Sequence, residues 1–110
     1  MQQSRIRHTV AFTLHCPAGS DAERDFLEAA GALGAIPGVE AFDILSEVSP
    51  KNGFRFGISM EFADADAYEM YNQHPEHVRF VEERWANEVE DFLEIDFAAL
   101  RRGSESARTP

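Results

Sequence analysis

The sequence predicts a single α+β domain in which two helices cover one face of a four-stranded antiparallel sheet. Three observations favour this fold. Strand-like stretches lie at residues 6–14, 39–48, 54–62 and 89–97. A helical apolar stripe follows the first strand and a second helical region follows the third, which gives the order β-α-β-β-α-β. A length of 110 residues suits one domain with one core of modest size.

The first strand is predicted from strict alternation along residues 6–14. One face carries Ile6, His8, Val10, Phe12 and Leu14. Successive side chains of a strand point to opposite sides, so this apolar set is expected to face the core. His8 is therefore expected on the buried side of the sheet, under the helices.

The first helix is predicted from its cap and its apolar stripe. Ser20 or Asp21 is the expected N-cap, and Glu23 stands three residues after Ser20, as in a capping box. The stripe consists of Phe26, Leu27, Ala30, Leu33 and Gly34. The turn Ile36-Pro37-Gly38 is expected to end the helix.

The two middle strands are predicted at residues 39–48 and 54–62. Pro50 and the pair Asn52-Gly53 lie between them, and these residues are typical of a tight connection. The third strand alternates strongly, with one face formed by Phe54, Phe56, Ile58, Met60 and Phe62.

The second helical region is predicted in two parts, followed by the last strand. Asp64 is expected to cap a short helix that ends near Tyr71. Pro75 suits the first turn of a second helix that reaches about Asn87. Residues 1–5 are interpreted as an N-terminal extension, residues 6–99 as the domain and residues 100–110 as a polar tail.

The charge and composition exclude several classes of partner. Lys and Arg total 10 against 20 Asp and Glu, for a formal net charge of -10. A nucleic-acid binder needs a basic surface to replace the counterions on phosphates, so neither nucleic acid nor an anionic membrane is expected. Cys16 is the single cysteine, which rules out an internal disulfide. With no apolar signal segment and no apolar run near the roughly 20 residues that span a bilayer, the expected location is the cytoplasm.

The second face of the sheet is predicted to be too apolar for a purely solvated surface. Its expected members are Thr9, Ala11, Thr13, Leu45, Ser59, Glu61, Phe92 and Glu94. A face of this kind favours a two-fold homodimer with the sheets facing each other. A monomer with one solvated sheet face is the alternative.

Several segments resemble the stress-responsive A/B-barrel, or Dabb, family. They are Arg7-His8-Thr9-Val10-Ala11-Phe12, Ile36-Pro37-Gly38-Val39, Val48-Ser49 with Asn52, His74-Pro75-Glu76-His77-Val78-Arg79-Phe80-Val81 and Phe92-Leu93-Glu94-Ile95-Asp96-Phe97. The resemblance implies a ferredoxin-like protomer and a dimeric α/β barrel. It extends distantly to the plant polyketide cyclases of the olivetolic acid cyclase type, whose functional residues would fall on His8, Tyr71 and His77. In that case the protein is a cyclase-like lyase.

The residues themselves support acid/base chemistry at these positions. Burial of His8, and the helix start near His77, both favour a neutral imidazole that accepts a proton. The Tyr71 hydroxyl is able to donate a hydrogen bond to a carbonyl oxygen. This hypothesis makes His77 the base, with His8 and Tyr71 orienting an apolar carbonyl compound, and it requires no cofactor or metal.

Alternative interpretations remain open at this stage. One is a non-catalytic, stress-linked dimer in which Phe56, Phe80 and Trp85 fill the space beside the histidines. Another is a cofactor-free monooxygenase-type barrel. His74 and His77 also have a spacing that two metal ligands on a helix would share, but Pro75 between them argues against it. For His74 the favoured role is a helix cap. A cavity near roughly 300 Å³ beside His8 and His77 would indicate a ligand site.

Overall fold

The computed structural model describes residues 4–100. Its centre is an antiparallel sheet of four strands in the order β2-β3-β1-β4. The strands are β1 (Ile6–Leu14), β2 (Glu40–Ser46), β3 (Phe56–Phe62) and β4 (Val89–Ala98). The predicted ferredoxin-like arrangement of a four-stranded sheet and covering helices is confirmed.

Strand β1 organises the sheet because it pairs with both β3 and β4. His8 lies opposite Met60 on β3 and opposite Asp96 on β4. The alternate residues of β1 from His8 to Leu14 are buried, as their apolar pattern predicts. Strand β1 is therefore an inner strand of the sheet, and β4 lies beside it at one edge.

The first covering helix is α1 (Asp21–Gly31), which continues as a short 3₁₀ turn at Ala32–Ala35. The Ser20 hydroxyl caps it by accepting a hydrogen bond from the Glu23 backbone N–H at 3.2 Å. Phe26 is fully buried against Phe12 of β1, with ring centroids 5.8 Å apart. Burial of this aromatic pair fixes α1 on the sheet.

The second helical region consists of α2 (Ala65–Gln73), α3 (Pro75–Phe80), a π-helical turn (Val81–Trp85) and α4 (Ala86–Glu88). Asp64 caps α2 through the Ala67 backbone N–H at 2.8 Å. The extended backbone of His74 then separates α2 from α3. Because α2 ends and α3 begins around one residue, their facing side chains converge on the same part of the sheet.

The structure corrects the predicted limits of three elements. Strand β2 ends at Ser46 rather than at Val48, whose side chain is almost fully exposed, and β3 begins at Phe56 rather than Phe54. Helix α2 runs two residues beyond Tyr71, to Gln73. These differences lie at chain turns, where local pattern is a weak guide.

A larger correction concerns β4, where the predicted sheet face of two residues is wrong. Phe92 and Glu94 lie on the helix side of the sheet, because they pair with the inward-facing residues of β1 and line a cavity there. The outward side of β4 instead carries Leu93, Ile95 and Phe97, all well exposed. The open face of the sheet is thus more apolar than the sequence predicted.

No helix within residues 4–100 is long and apolar enough to cross a membrane.

Candidate functional site

A cavity of about 240 Å³ lies between the sheet and the second helical region. Its lining includes His8, Tyr71 and His77, the three predicted site residues. Most of the remaining wall is apolar, formed by Val10, Leu33, Ile58, Met60, Phe80, Val81, Trp85 and Phe92. The structure therefore brings the predicted residues together around one apolar space with a few polar groups, which is the usual character of a small-molecule site.

The His8 ring is oriented by a hydrogen bond to Asp96, on the neighbouring strand β4. It is only 6% exposed, and its Nδ1 lies 2.6 Å from Oδ1 of Asp96. The Tyr68 hydroxyl, from α2, donates to the other carboxylate oxygen at 2.9 Å and lies 2.9 Å from the same His8 nitrogen. Since an ionised carboxylate only accepts hydrogen bonds, the ring donates its Nδ1 hydrogen to Asp96.

This arrangement leaves the second ring nitrogen of His8 for the cavity side. That nitrogen, Nε2, lies 3.6 Å from Oε2 of Glu94, which also lines the cavity. A histidine whose Nδ1 donates to a carboxylate presents Nε2 as a proton acceptor, as in hydrolase triads. The geometry suits His8 for proton transfer.

His77 is oriented by the helix that precedes it. Its Nδ1 donates to the backbone carbonyl of Asn72 at 3.1 Å. Burial lowers the pKa of His77 below its ordinary value, and the nearby His8 acts in the same direction, while the bond to Asn72 partly opposes them. The ring is therefore neutral near pH 7 and carries a free acceptor nitrogen.

Tyr71 lies between the two histidines. It is 2% exposed, and its ring stacks at a tilt on His77, with centroids 4.4 Å apart. Burial raises the pKa of the Tyr71 hydroxyl well above its usual range, with a smaller contribution from Glu94. None of residues 4–100 forms a hydrogen bond with that hydroxyl, so the proton it retains is available to a ligand oxygen.

Three contributors to the site were missed by the sequence analysis: Tyr68, Glu94 and Asp96. A signal for the two acids existed, because Glu94 and Asp96 alternate on one side of the last strand. The wrong face was assigned because the opposite set, Leu93, Ile95 and Phe97, looks more like a core. Tyr68 gave no distinct signal, since one aromatic residue on a short helix is ordinary.

The metal interpretations are tested by the same contacts. His74 uses its Nδ1 to accept the Glu76 backbone N–H at 3.1 Å, which confirms its predicted capping role. His8, Glu94 and Asp96 do place one donor atom each within 4.8 Å of one another. Asp96 already accepts a hydrogen bond from Nδ1 of His8, whereas Glu94 lies 3.6 Å from Nε2 without a hydrogen bond to it.

The protein is a ferredoxin-like α+β domain with a helix-covered cavity. The model of the stress responsive A/B barrel domain matches residues 6–99, so the chain belongs to the Dabb family, as the resemblance indicated. Curated proteins offer no match to the sequence.

Solved structures with the same fold include both uncharacterised proteins and an enzyme. A Dabb family protein with a ferredoxin-like fold from Mesorhizobium loti is 53% identical, with a TM-score of 0.87, and the match covers 90% of this chain and 100% of that one. A dimeric protein of unknown function from Bacteroides fragilis is 24% identical, with a TM-score of 0.70 over 90% of this chain and 100% of that one. The hydroxynitrile lyase from Passiflora edulis is 14% identical, with a TM-score of 0.77 over 97% and 98%. The last two likenesses show the fold alone.

Proposed function

We propose that this Dabb protein is a homodimer that binds an apolar carbonyl compound in its cavity and transfers a proton next to the carbonyl group. The observation that carries the proposal is the convergence of His8, Tyr71 and His77 on one apolar cavity. Two histidines with fixed Nδ1 hydrogens supply acceptors, and a tyrosine with a raised pKa supplies a donor. These are the groups that enolate formation needs.

The contacts favour a particular division of roles. Asp96 backs His8 with a carboxylate, which stabilises the imidazolium that forms when the ring takes a proton. His77 is backed only by a neutral backbone carbonyl. We therefore assign proton abstraction to His8 rather than to His77, the base favoured by the sequence. Tyr71 polarises the carbonyl oxygen, His77 accepts a hydrogen bond from the ligand, and the imidazolium of His8 returns the proton.

The lyase neighbour is compatible with this chemistry. A hydroxynitrile is an adduct of a carbonyl compound, so an enzyme with this fold and that name acts on related functional groups. Its low identity carries no residue assignment to this chain. The alternative of a filled, purely structural interior is disfavoured by the cavity beside His8 and Trp85.

The homodimer is supported by the open face of the sheet. Leu45, Leu93, Ile95 and Phe97 expose apolar side chains there, and contiguous exposed apolar surface of this kind marks an interface. Two solved structures with this fold are described as dimeric, from Bacteroides fragilis and Thermobifida fusca.

Proton abstraction is testable without knowing the natural substrate. Acetophenone in D₂O exchanges its methyl hydrogens only through its enolate, and NMR follows the loss of that signal. The protein is expected to accelerate exchange above buffer, and His8→Gln is expected to abolish the acceleration. His15→Gln, an exposed histidine outside the cavity, serves as the matched control. Exchange no faster than in buffer, with acetophenone bound, would refute the proposal.

A further inference from the structure

Within residues 4–100, Glu94 is the one acidic side chain in the lining of the cavity. No lysine or arginine contributes to that lining within residues 4–100. Glu94 is about half exposed, at 52%, and its only ion-pair partner in the same part of the chain is His8. A ligand in the cavity therefore meets an uncompensated negative charge.

The rest of the wall adds to this preference. Tyr71, Phe80, Trp85 and Phe92 place aromatic rings around the cavity, and Trp85 lies edge-on to Phe92 with centroids 5.6 Å apart. Aromatic faces attract cations through their negative quadrupole. The Tyr71 side chain is almost wholly buried, and its hydroxyl, which has no hydrogen-bond partner within residues 4–100, is an independent sign that a polar group of a ligand belongs here.

From these features we infer that Glu94 determines the charge of the ligand: the cavity accepts small apolar amines, tolerates neutral molecules and rejects carboxylic acids. The ammonium group lies against the Glu94 carboxylate and the aromatic rings, and the apolar body fills the cavity. The inference rests on the proposed function, since it names the class of carbonyl compound that the same site takes. Such a substrate carries an amine and no acid group.

Three probes of nearly equal shape test the order of preference. Benzylamine, benzyl alcohol and benzoate are titrated separately, and binding is followed by the NMR signal of the indole N–H of Trp85, the single tryptophan. Benzylamine is expected to bind about fivefold more tightly than benzyl alcohol, from a partly exposed charge pair and a cation–π contact. Benzoate is expected to bind more weakly than either. Added salt should reduce the advantage of the amine.

The variant Glu94→Gln identifies the residue responsible. It should bring the affinities for amine and alcohol together and improve binding of benzoate. Glu90→Gln removes the same charge from the same strand outside the cavity, and should leave the order unchanged. Equal binding of the three probes, or an unchanged order in Glu94→Gln, overturns the inference. The proposed function fails separately, if acetophenone exchange is absent while the charge order holds.

Discussion

Asp96 stands directly opposite His8 on the neighbouring strand, and its carboxylate accepts a hydrogen bond from the histidine ring at 2.6 Å. The strand register therefore builds the acid–histidine pair without any contribution from a loop. A pair held by two paired backbones has little freedom to misalign, which is what a proton-transfer group requires.

Replacing this carboxylate should impair proton transfer while the fold is retained. In Asp96→Asn the amide is able to donate as well as accept, so the ring is no longer fixed with its hydrogen on Nδ1. Acetophenone exchange is expected to fall by at least about tenfold, and ¹⁵N NMR should show the His8 tautomers mixing. Asp43→Asn, an exposed aspartate on the far strand β2, is the control. Wild-type exchange in Asp96→Asn would contradict the assigned role.

Removing the hydroxyl from each of the two tyrosines near His8 should have different effects. The change at Tyr68 should lower stability, and the change at Tyr71 should slow exchange. Tyr68→Phe deletes a hydroxyl that contacts both His8 and Asp96, and should lower the free energy of unfolding by about 0.5–1.5 kcal/mol. Tyr71→Phe deletes no hydrogen bond among residues 4–100, and its free energy of unfolding should stay within about 0.5 kcal/mol of the wild type. Urea unfolding measures both. Tyr71→Phe should nevertheless slow acetophenone exchange, and an equal rate would remove Tyr71 from the site.

His77 should make the protein less stable in mild acid. In the unfolded chain its pKa is the ordinary 6.5, and in the folded protein burial lowers it. Between those two values the unfolded state binds more protons, so the free energy of unfolding falls as the pH drops below about 6.5 and stops falling below the folded pKa. His77→Gln should flatten this part of the curve of stability against pH.

Chemical denaturation from pH 7 to pH 5 measures the effect of His77. His15→Gln, with its exposed ring, is the matched substitution and should keep the slope of the wild type. If His77→Gln has the same slope as the wild type, burial of the ring does not govern its titration.

Gly34 should not tolerate a methyl group. A Cβ atom there would lie 2.9 Å from Cδ1 of Phe42, a ring packed against the core from β2. Gly34→Ala is expected to cost about 1–3 kcal/mol, because the ring must move in a filled space. Gly53→Ala meets no atom within 4 Å and should be nearly neutral. Equal melting temperatures for the two variants would show that Phe42 adjusts freely.

The open sheet face should control assembly. Ile95→Lys places a charge among the exposed apolar residues of β4 on that face and should convert the dimer to a monomer in analytical ultracentrifugation. Met70→Lys changes an exposed residue of α2, away from the sheet, and should leave the dimer intact. A wild-type protein that sediments as a monomer at all concentrations would contradict the homodimer.

The element order and the placement of His8 follow from local patterns in the sequence. Alternation along β1 is strong enough to fix which side of the strand is buried. The placement of Tyr71 and His77 beside it also follows, because Pro75 separates two helices that return over the same sheet. These features are determined by residues that lie close together along the chain, so a single sequence is enough to predict them.

Local patterns do not predict which face of β4 lies under the helices. Period-two alternation gives two sets of side chains and does not say which set is buried. Hydrophobicity points to Leu93, Ile95 and Phe97, yet these lie on the open side. Pairing between strands far apart in sequence decides the matter, and that pairing places Phe92, Glu94 and Asp96 inward. The π-helical turn that carries Trp85 to the cavity likewise has no residue that predicts it.

His8 and Asp96 are 88 positions apart along the chain, so the ribosome makes the two members of this pair at different times. A ribosome releases the N-terminal part of a protein first, so β1 emerges long before the strand that completes its acidic partner. A nascent polypeptide therefore holds an incomplete site until translation has passed residue 96.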